Sequence, residues 1–294
     1  MNCNTSAKKR YIIAVCWLVL SLGSSVLNDV LTKCIINSLH ILQIGFFRFL
    51  FSSIALLPLI IYYGPRCIHT RNIFIHIIRG VILFCGIITW IYGLSVVQLT
   101  TATVINFSMP LFTLILGAII LKEHVTWQRY VATIVGFGGI VVTLSPELAD
   151  FNIYSLVFFI SAFLFALLDI INKAFVRSET MMSMMFYSAI VTAVLSLPSA
   201  LHTWQDITLM EIGILITIGI NANLLLFFLL KAFALAEATA LAPYRYIELL
   251  ISICVQYMVF ADMPLTTTIY GACILIPCTL FITYSEEKRI SDIP

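Results

Sequence analysis

Asn28-Asp29-Val30-Leu31-Thr32-Lys33, near the end of the first apolar stretch, is answered 140 positions later by Leu168-Asp169-Ile170-Ile171-Asn172-Lys173, near the end of the sixth. The same offset carries Pro58 to Pro198, and an offset of 139 carries Asn106 to Arg245, Glu123 to Asp262 and Ala132 to Gly271. The chain therefore reads as one pattern of five apolar stretches written twice. A duplicated unit that crosses a membrane an odd number of times inserts its second copy upside down relative to the first.

Composition sets the environment. With 61% hydrophobic and 10% charged residues and a mean hydropathy of +1.07, the chain is far more apolar than a water-soluble domain, which is roughly half apolar and a quarter charged. A helix needs about 20 apolar residues to cross a hydrocarbon layer of about 30 Å. Apolar runs of that order fall at 11–32, 41–63, 73–97, 100–121 and 127–145, and again at 153–174, 181–201, 209–230, 238–260 and 265–284. In lipid such runs must satisfy their own backbone hydrogen bonds, so they are helices, and a barrel would show period-two alternation instead. The expectation is an all-α integral membrane protein of ten transmembrane helices arranged as two inverted five-helix repeats, residues 1–147 and 148–294, joined by a short seam at 146–152. The first run is too long for a signal-peptide core and lacks a small-residue cleavage pattern, so it reads as a retained span.

Charge sets the direction. With the amino terminus inside, Lys8, Lys9, Arg10, Arg66, Arg71, Lys122, Arg129, Lys173, Arg177, Lys231, Lys288 and Arg289 all fall on the cytoplasmic side, whereas Lys33 falls outside. That asymmetry supports a multi-pass protein with both termini cytoplasmic, because losing one span would scramble the signs. The outer loops carry Glu147, Asp150, Asp206 and Asp262. The net charge of +2 is spent on orientation and gives no nucleic-acid signal; the partners expected are the lipid bilayer and a small molecule. The cysteines, Cys3, Cys16, Cys34, Cys67, Cys85, Cys254, Cys273 and Cys278, have no CxxC or metal spacing and read as small buried hydrophobes. No metal and no cofactor is expected.

The ninth run contains Ala242-Pro243-Tyr244-Arg245-Tyr246-Ile247-Glu248. Two charges at mid-membrane cost about 5 to 7 kcal/mol on an insertion scale, more than the run's Leu, Ile, Val and Phe residues return, so this helix is not expected to face lipid. Pro243 removes a backbone donor and lets the helix bend. Tyr244, Arg245 and Glu248 share one stripe. Two readings follow. In one they form a substrate site, with Arg245 binding a carboxylate, Glu248 a cation, and Tyr244 and Tyr246 offering ring faces. In the other, Arg245 and Glu248 are an internal ion pair that holds helices together.

Asn106 is the counterpart of Arg245, and matching positions of inverted repeats approach one another near the bilayer midplane, which makes Asn106 a further substrate-site candidate; otherwise it bonds a neighbouring backbone. Asp29 with Lys33 and Asp169 with Lys173 read either as matching outer and inner gates or as local pairs at helix ends. Arg48 lies about two turns into its span and faces the cavity or snorkels to headgroups. Arg79 reads as an anchor at a span end. Trp90 and Tyr92 are candidates for a cavity wall, as are Asn221 and Asn223, with packing as the alternative in each case. Gly136, Gly138 and Gly139 are expected to permit close helix approach. No HExxH, GxSxG or P-loop pattern is present, which argues against a membrane enzyme and against ATP hydrolysis.

Several strings carry a resemblance: Pro110 followed by the Lys122-Glu123 turn, Phe46-Phe47-Arg48-Phe49-Leu50-Phe51-Ser52-Ser53, Leu168-Asp169-Ile170-Ile171-Asn172-Lys173, Phe186-Tyr187-Ser188-Ala189-Ile190-Val191, and the ninth-span string above. Over nearly its whole length the chain resembles the drug/metabolite transporter superfamily, and within it the S-adenosylmethionine uptake carriers of obligate intracellular bacteria. The resemblance implies a secondary transporter that imports S-adenosylmethionine across the bacterial inner membrane by alternating access, with S-adenosylhomocysteine as a possible exchange partner. An exporter of amino acids, drugs or metabolites from the same superfamily is the competing expectation. In the second copy Ala261 and Asp262 stand where the first has Lys122 and Glu123, a departure from the superfamily pattern.

Overall fold

The computed structural model describes residues 2–36, 38–70, 72–94, 105–143, 156–260 and 266–291. The seam at 146–152, Arg71 and the turn carrying Ala261 and Asp262 lie outside them. The regular elements are α1 (Asn2–Ile35), α2 (Ile41–Tyr63), a 3-10 turn (Pro65–Ile68), α3 (Ile73–Leu94), α4 (Met109–Ile120), α5 (Trp127–Thr143), α6 (Leu156–Phe175), α7 (Met181–His202), α8 (Leu209–Leu235), α9 (Ala238–Leu241), a second 3-10 segment (Ala242–Tyr246), α10 (Ile247–Phe260) and α11 (Thr266–Ser291).

Seven stretches, Ala7–Ile35, Ile41–Tyr63, Ile73–Trp90, Leu156–Phe175, Met181–His202, Leu209–Leu235 and Ala238–Val259, are long and apolar enough to cross a membrane, while Met109–Ile120 and Tyr270–Glu286 are shorter apolar helices. The chain is thus an all-helical, multi-pass membrane protein. The expected fourth span is cut short because the helix breaks into a turn at Phe107 and Ser108 and resumes at Met109, where Pro110 needs no donor partner.

Helix ends follow their sequence. Thr208 and Glu211 form a reciprocal capping box at the start of α8, and the Thr180 hydroxyl accepts from Ser183 N at the start of α7. Gly64, at φ 79°, ends α2 in a conformation that glycine adopts without a Cβ clash. Lys122 takes φ 55° after α4, and the Glu123 N–H returns to the Gly117 carbonyl at 3.2 Å. This tight reversal aims the Glu123 carboxylate at the neighbouring α9.

The helices pack in pairs that obey a rule. α1 runs along α8 as α6 runs along α3; α2 meets α8 as α7 meets α3; α1 meets the second 3-10 segment and α10 as α6 meets α4. α2 packs on α7 and α5 on α11. Exchanging the first five helical stretches for the last five maps the first three pairs of contacts onto one another and the last two contacts onto themselves. Pro58 within α2 and Pro198 within α7 obey the same exchange.

Small residues and amides set the closest crossings. Asn221 Nδ2 donates to the Ser24 carbonyl at 2.7 Å and to Asn28 Oδ1 at 3.0 Å. Asn223 exchanges bonds with Ser52, 2.8 Å to its carbonyl and 2.7 Å from its hydroxyl. Both asparagines therefore tie α8 to α1 and α2. A Cβ built on Gly136 would meet the Tyr246 ring and one on Gly139 would meet Ile274, whereas Gly138 faces open space, so two of the three expected glycines mark close approach.

The contact made against backbone is Gly219, where a Cβ would stand 2.8 Å from Ser52 N and 2.9 Å from the Phe51 carbonyl carbon. Backbone cannot move aside as a side-chain tip can. Gly219→Ala is therefore expected to destabilise the protein by about 1 to 3 kcal/mol through overpacking, read as a lower melting temperature in detergent. Gly213→Ala, on the same helix but with nothing within 4 Å of its Cβ, is expected to leave stability unchanged or raise it by up to about 1 kcal/mol. Equal effects of the two substitutions would refute this account of the α2–α8 crossing.

Candidate functional site

The site is built around two interrupted helices. In the ninth span, α9 lasts four residues and gives way to the 3-10 segment Ala242–Tyr246 before α10 resumes. In the fourth, the helix turns at Phe107 and Ser108. Under the 139-residue offset these breaks meet at one position, Phe107 against Tyr246, and those two residues touch, with ring centroids 6.3 Å apart. Non-helical backbone at membrane depth is tolerated where it is buried in protein or lines a chamber.

Arg245 does not pair with Glu248. Its Nη2 makes an ion pair with Asp169 Oδ2 on α6, with side-chain exposures of 15% and 6%. Glu248 instead hydrogen-bonds Ser25 on α1, with Arg245 within electrostatic reach. One turn beyond Ser25, Asp29 is exposed and yet lies in the fields of Glu248 and Arg48. Charges from α2 and α10 thus converge on this carboxylate of α1. The Arg48 guanidinium carbon lies 5.7 Å from the Phe49 ring centroid, and its buried Nε has no hydrogen-bond partner among the described residues.

The other candidates divide. Tyr244 is 2% exposed and Tyr246 1%; the Tyr244 hydroxyl meets Tyr11 at 3.1 Å and Thr283 at 2.8 Å, and the Tyr246 hydroxyl donates to the Thr133 carbonyl at 3.0 Å. Both rings are thus enclosed by protein, below and beside the charges. Asn106 keeps a buried Oδ1 without a hydrogen-bond partner, and its neighbour Ile105 packs with Trp90, whose ring stands edge-on to Phe158 at 5.1 Å. Tyr92 is exposed.

Lys173 does not join Asp169. Its Nζ donates to the carbonyls of Phe233, at 2.6 Å, and Ala236, capping the end of α8 where the helix presents unsatisfied carbonyls. Lys33 is exposed on the last turn of α1. Arg79, expected at a span end as an anchor, is fully buried and bonds Asn172 at 2.8 Å, the Met184 carbonyl at 3.1 Å and His76 at 3.1 Å. It links α3, α6 and α7, since a buried guanidinium must fill its donors from several helices.

A second polar cluster, not singled out by sequence, ties one end of the bundle together. Arg129 on α5 is 1% exposed; it makes a two-pronged pair with Glu286 on α11, at 2.8 and 3.0 Å, and reaches Glu237 at 2.6 Å and the Thr239 hydroxyl at 2.7 Å. Glu123 accepts from Ala238 N, Thr239 N and the Thr239 hydroxyl at 3.0, 2.9 and 2.7 Å, a carboxylate on the first amides of α9. Arg289 adds contacts to Glu286 and Glu237 at 3.5 Å. Tyr11 lies in the fields of Glu286 and Arg129, and Asp29 stands 18 residues further along the same helix, roughly 27 Å at 1.5 Å per residue. One end of the bundle is tied by ion pairs, and Asp29 and Arg48 lie toward the other. The sequence signal for this cluster was the Glu123 turn and four acidic or basic residues at span ends, each unremarkable alone.

Among the described residues, no group of three or more His, Cys, Asp or Glu side chains is placed to hold a metal ion.

Comparison with known proteins places this architecture. A profile of the EamA-like transporter family matches residues 12–145. The chain is 53% identical over 285 residues to the S-adenosylmethionine uptake transporter of Rickettsia bellii, covering 97% of this chain and 98% of that protein. It is 50% identical over 286 residues to the protein of the same name from Rickettsia prowazekii, covering 97% of each. The riboflavin transporter of Brucella anthropi is 28% identical over 251 residues, 83% of this chain and 88% of that protein. A solved structure with 14% identity superposes with a TM-score of 0.78 over 97% of this chain and 99% of that one, a likeness of fold alone. The relatives are named as transporters and not as enzymes.

Proposed function

The chain belongs to the EamA-like transporter family, and on that premise we propose that it imports S-adenosylmethionine across the bacterial inner membrane as a secondary carrier working by alternating access. The observation that carries this reading is the net charge of the converging side chains. Asp29, Asp169 and Glu248 stand against Arg48 and Arg245, three carboxylates against two guanidiniums, so the site holds one net negative charge. S-adenosylmethionine brings a carboxylate, an ammonium and a sulfonium, one net positive charge. An uncharged vitamin or a plain zwitterion would leave the site unbalanced at depth, where an uncompensated charge is costly.

The architecture is two inverted repeats, residues 1–147 and 148–294, each contributing five spans; the exchange rule in the helix contacts and the meeting of Phe107 with Tyr246 support it. With both termini cytoplasmic, as the distribution of lysine and arginine favours, the chamber is open outward and the Arg129 cluster seals the cytoplasmic side. Release inward then requires the contacts of Arg129 with Glu286 and Glu237 to part while the outer ends close around Asp29 and Arg48. S-adenosylhomocysteine, the demethylated product, keeps the amino-acid head group and lacks the sulfonium; as a neutral zwitterion it is expected to bind and exchange, but more weakly than S-adenosylmethionine.

Cells that cannot import S-adenosylmethionine, supplied with this protein, are expected to accumulate the labelled compound at a saturable rate, with excess S-adenosylhomocysteine competing. A rate that stays linear in concentration would mean a channel, and absence of uptake at confirmed abundance would remove the substrate assignment. Proteoliposomes preloaded with S-adenosylhomocysteine are expected to take up label faster than empty ones.

A further inference from the structure

We infer that the ion pair between Arg245 and Asp169 is the receptor for an α-amino-carboxylate head group, with Arg245 taking the carboxylate and Asp169 the ammonium. This rests on the transport reading above and assigns within it a role that sequence spacing gave to neither partner jointly. The two residues are 76 positions apart, on the ninth and sixth spans, and the structure brings them into direct contact at the interruption of the ninth.

The contrast with the other buried arginines separates a receptor from a strut. Arg129 fills its donors from both oxygens of Glu286, from Glu237, from Thr239 and from the His124 carbonyl. Arg79 fills its own from Asn172, the Met184 carbonyl and His76. A guanidinium carries five N–H donors in a planar fork, and an arginine that only holds helices together satisfies most of them, as these two do. Arg245 uses one acceptor, Asp169 Oδ2, among the described residues, and keeps 15% of its side chain exposed. Asp169 is equally unfinished: Oδ1 has no donor among the described residues, and Lys173, one turn further on, is committed to the carbonyls that end α8.

An amino-acid head group matches this pair in both its charges. Its carboxylate and ammonium lie one carbon apart, so inserting it between the two side chains replaces one protein ion pair by two, and neither buried charge is left uncompensated at any point of the exchange. Asp169 thus holds Arg245 in place when the chamber is empty and selects for a free amine when it is full. Glu248, held by Ser25, and Asp29 are left to balance the sulfonium.

Proteoliposome uptake of labelled S-adenosylmethionine, competed by unlabelled S-adenosylmethionine, its N-acetyl derivative and its decarboxylated analogue, tests this directly. In the wild-type protein the N-acetyl and decarboxylated compounds are each expected to compete about 30-fold or more weakly, the size usual for losing one partner of a buried charge pair. Asp169→Asn is expected to bind S-adenosylmethionine more weakly and to lose the preference for the free amine, to within about 3-fold, while still rejecting the decarboxylated analogue; Asp169→Glu retains the preference in part. Should Asp169→Asn prove inactive in uptake, the same ratios are read by equilibrium displacement from the detergent-purified protein. If wild type imports S-adenosylmethionine but treats the N-acetyl derivative alike, or if Asp169→Asn keeps the wild-type preference, the receptor assignment is wrong while the transport reading stands. If wild type imports none, it is the transport reading that fails.

Discussion

Arg129→Gln is expected to lower the stability of the purified protein by about 3 kcal/mol, because it strips the two-pronged cation from a buried Glu286 and leaves that charge only the longer contact to Arg289 at 3.5 Å. Glu286 is only 3% exposed, whereas Glu237, the other carboxylate on Arg129, is 39% exposed and can turn to water. The loss should therefore follow Glu286. Arg129→Gln combined with Glu286→Gln is expected to be less destabilised than the two single effects added together, with a coupling of at least about 1 kcal/mol; Glu237→Gln alone should cost under about 1 kcal/mol. Thermal unfolding in detergent, followed by the fraction remaining in solution, measures all four proteins. Additive single effects would mean that the two-pronged contact between α5 and α11 carries no energy of its own, and the tied end of the bundle would need another explanation.

Arg245→Ala is expected to reduce S-adenosylmethionine uptake by about 100-fold or more at substrate concentrations below saturation. Two losses combine: the carboxylate of the substrate loses its fork, and Asp169, 6% exposed, is left as an unpaired buried anion, each worth about 2 kcal/mol or more. Glu248→Gln keeps the shape and the hydrogen bond from Ser25 but removes a charge, and is expected to cost about 10-fold, chiefly in KM, since the chamber then no longer balances a monocation. Uptake is normalised to membrane abundance measured on the same vesicles. If both variants import at the wild-type rate and abundance, the chamber described here is not where the substrate binds.

How much of this was legible from sequence depends on the range of the interaction. The helical, membrane-spanning class came from hydropathy, and the expectation that the ninth stretch is shielded from lipid came from the cost of charge in hydrocarbon; both are local properties. The two helix breaks were half legible: Pro243 and Pro110 announce where the backbone loses donors, but only the fold brings Phe107 against Tyr246. The expected fourth span was read as continuous because nothing in its hydropathy registers the turn at Phe107 and Ser108.

The pairing of charges is where sequence reasoning stopped. Asp169 and Lys173 at one helical turn apart look like a local pair, as do Arg245 and Glu248, and spacing alone favours both. The structure makes neither. Asp169 reaches Arg245, Lys173 the end of α8, Glu248 the α1 hydroxyl of Ser25 and Arg129 the distant Glu286. An isolated helix offers only its own i+3 and i+4 neighbours, worth a few tenths of a kcal/mol, whereas in a packed bundle a buried charge is claimed by whichever partner removes the most desolvation cost.

The sequence by itself determined that the chain is a helical, multi-pass membrane protein with charged residues inside its apolar stretches, because hydropathy and the cost of buried charge are summed residue by residue. Only the tertiary structure decided which charges meet, which end of the bundle is tied by ion pairs and which arginine keeps donors to spare, because those depend on distances between helices that no local pattern encodes.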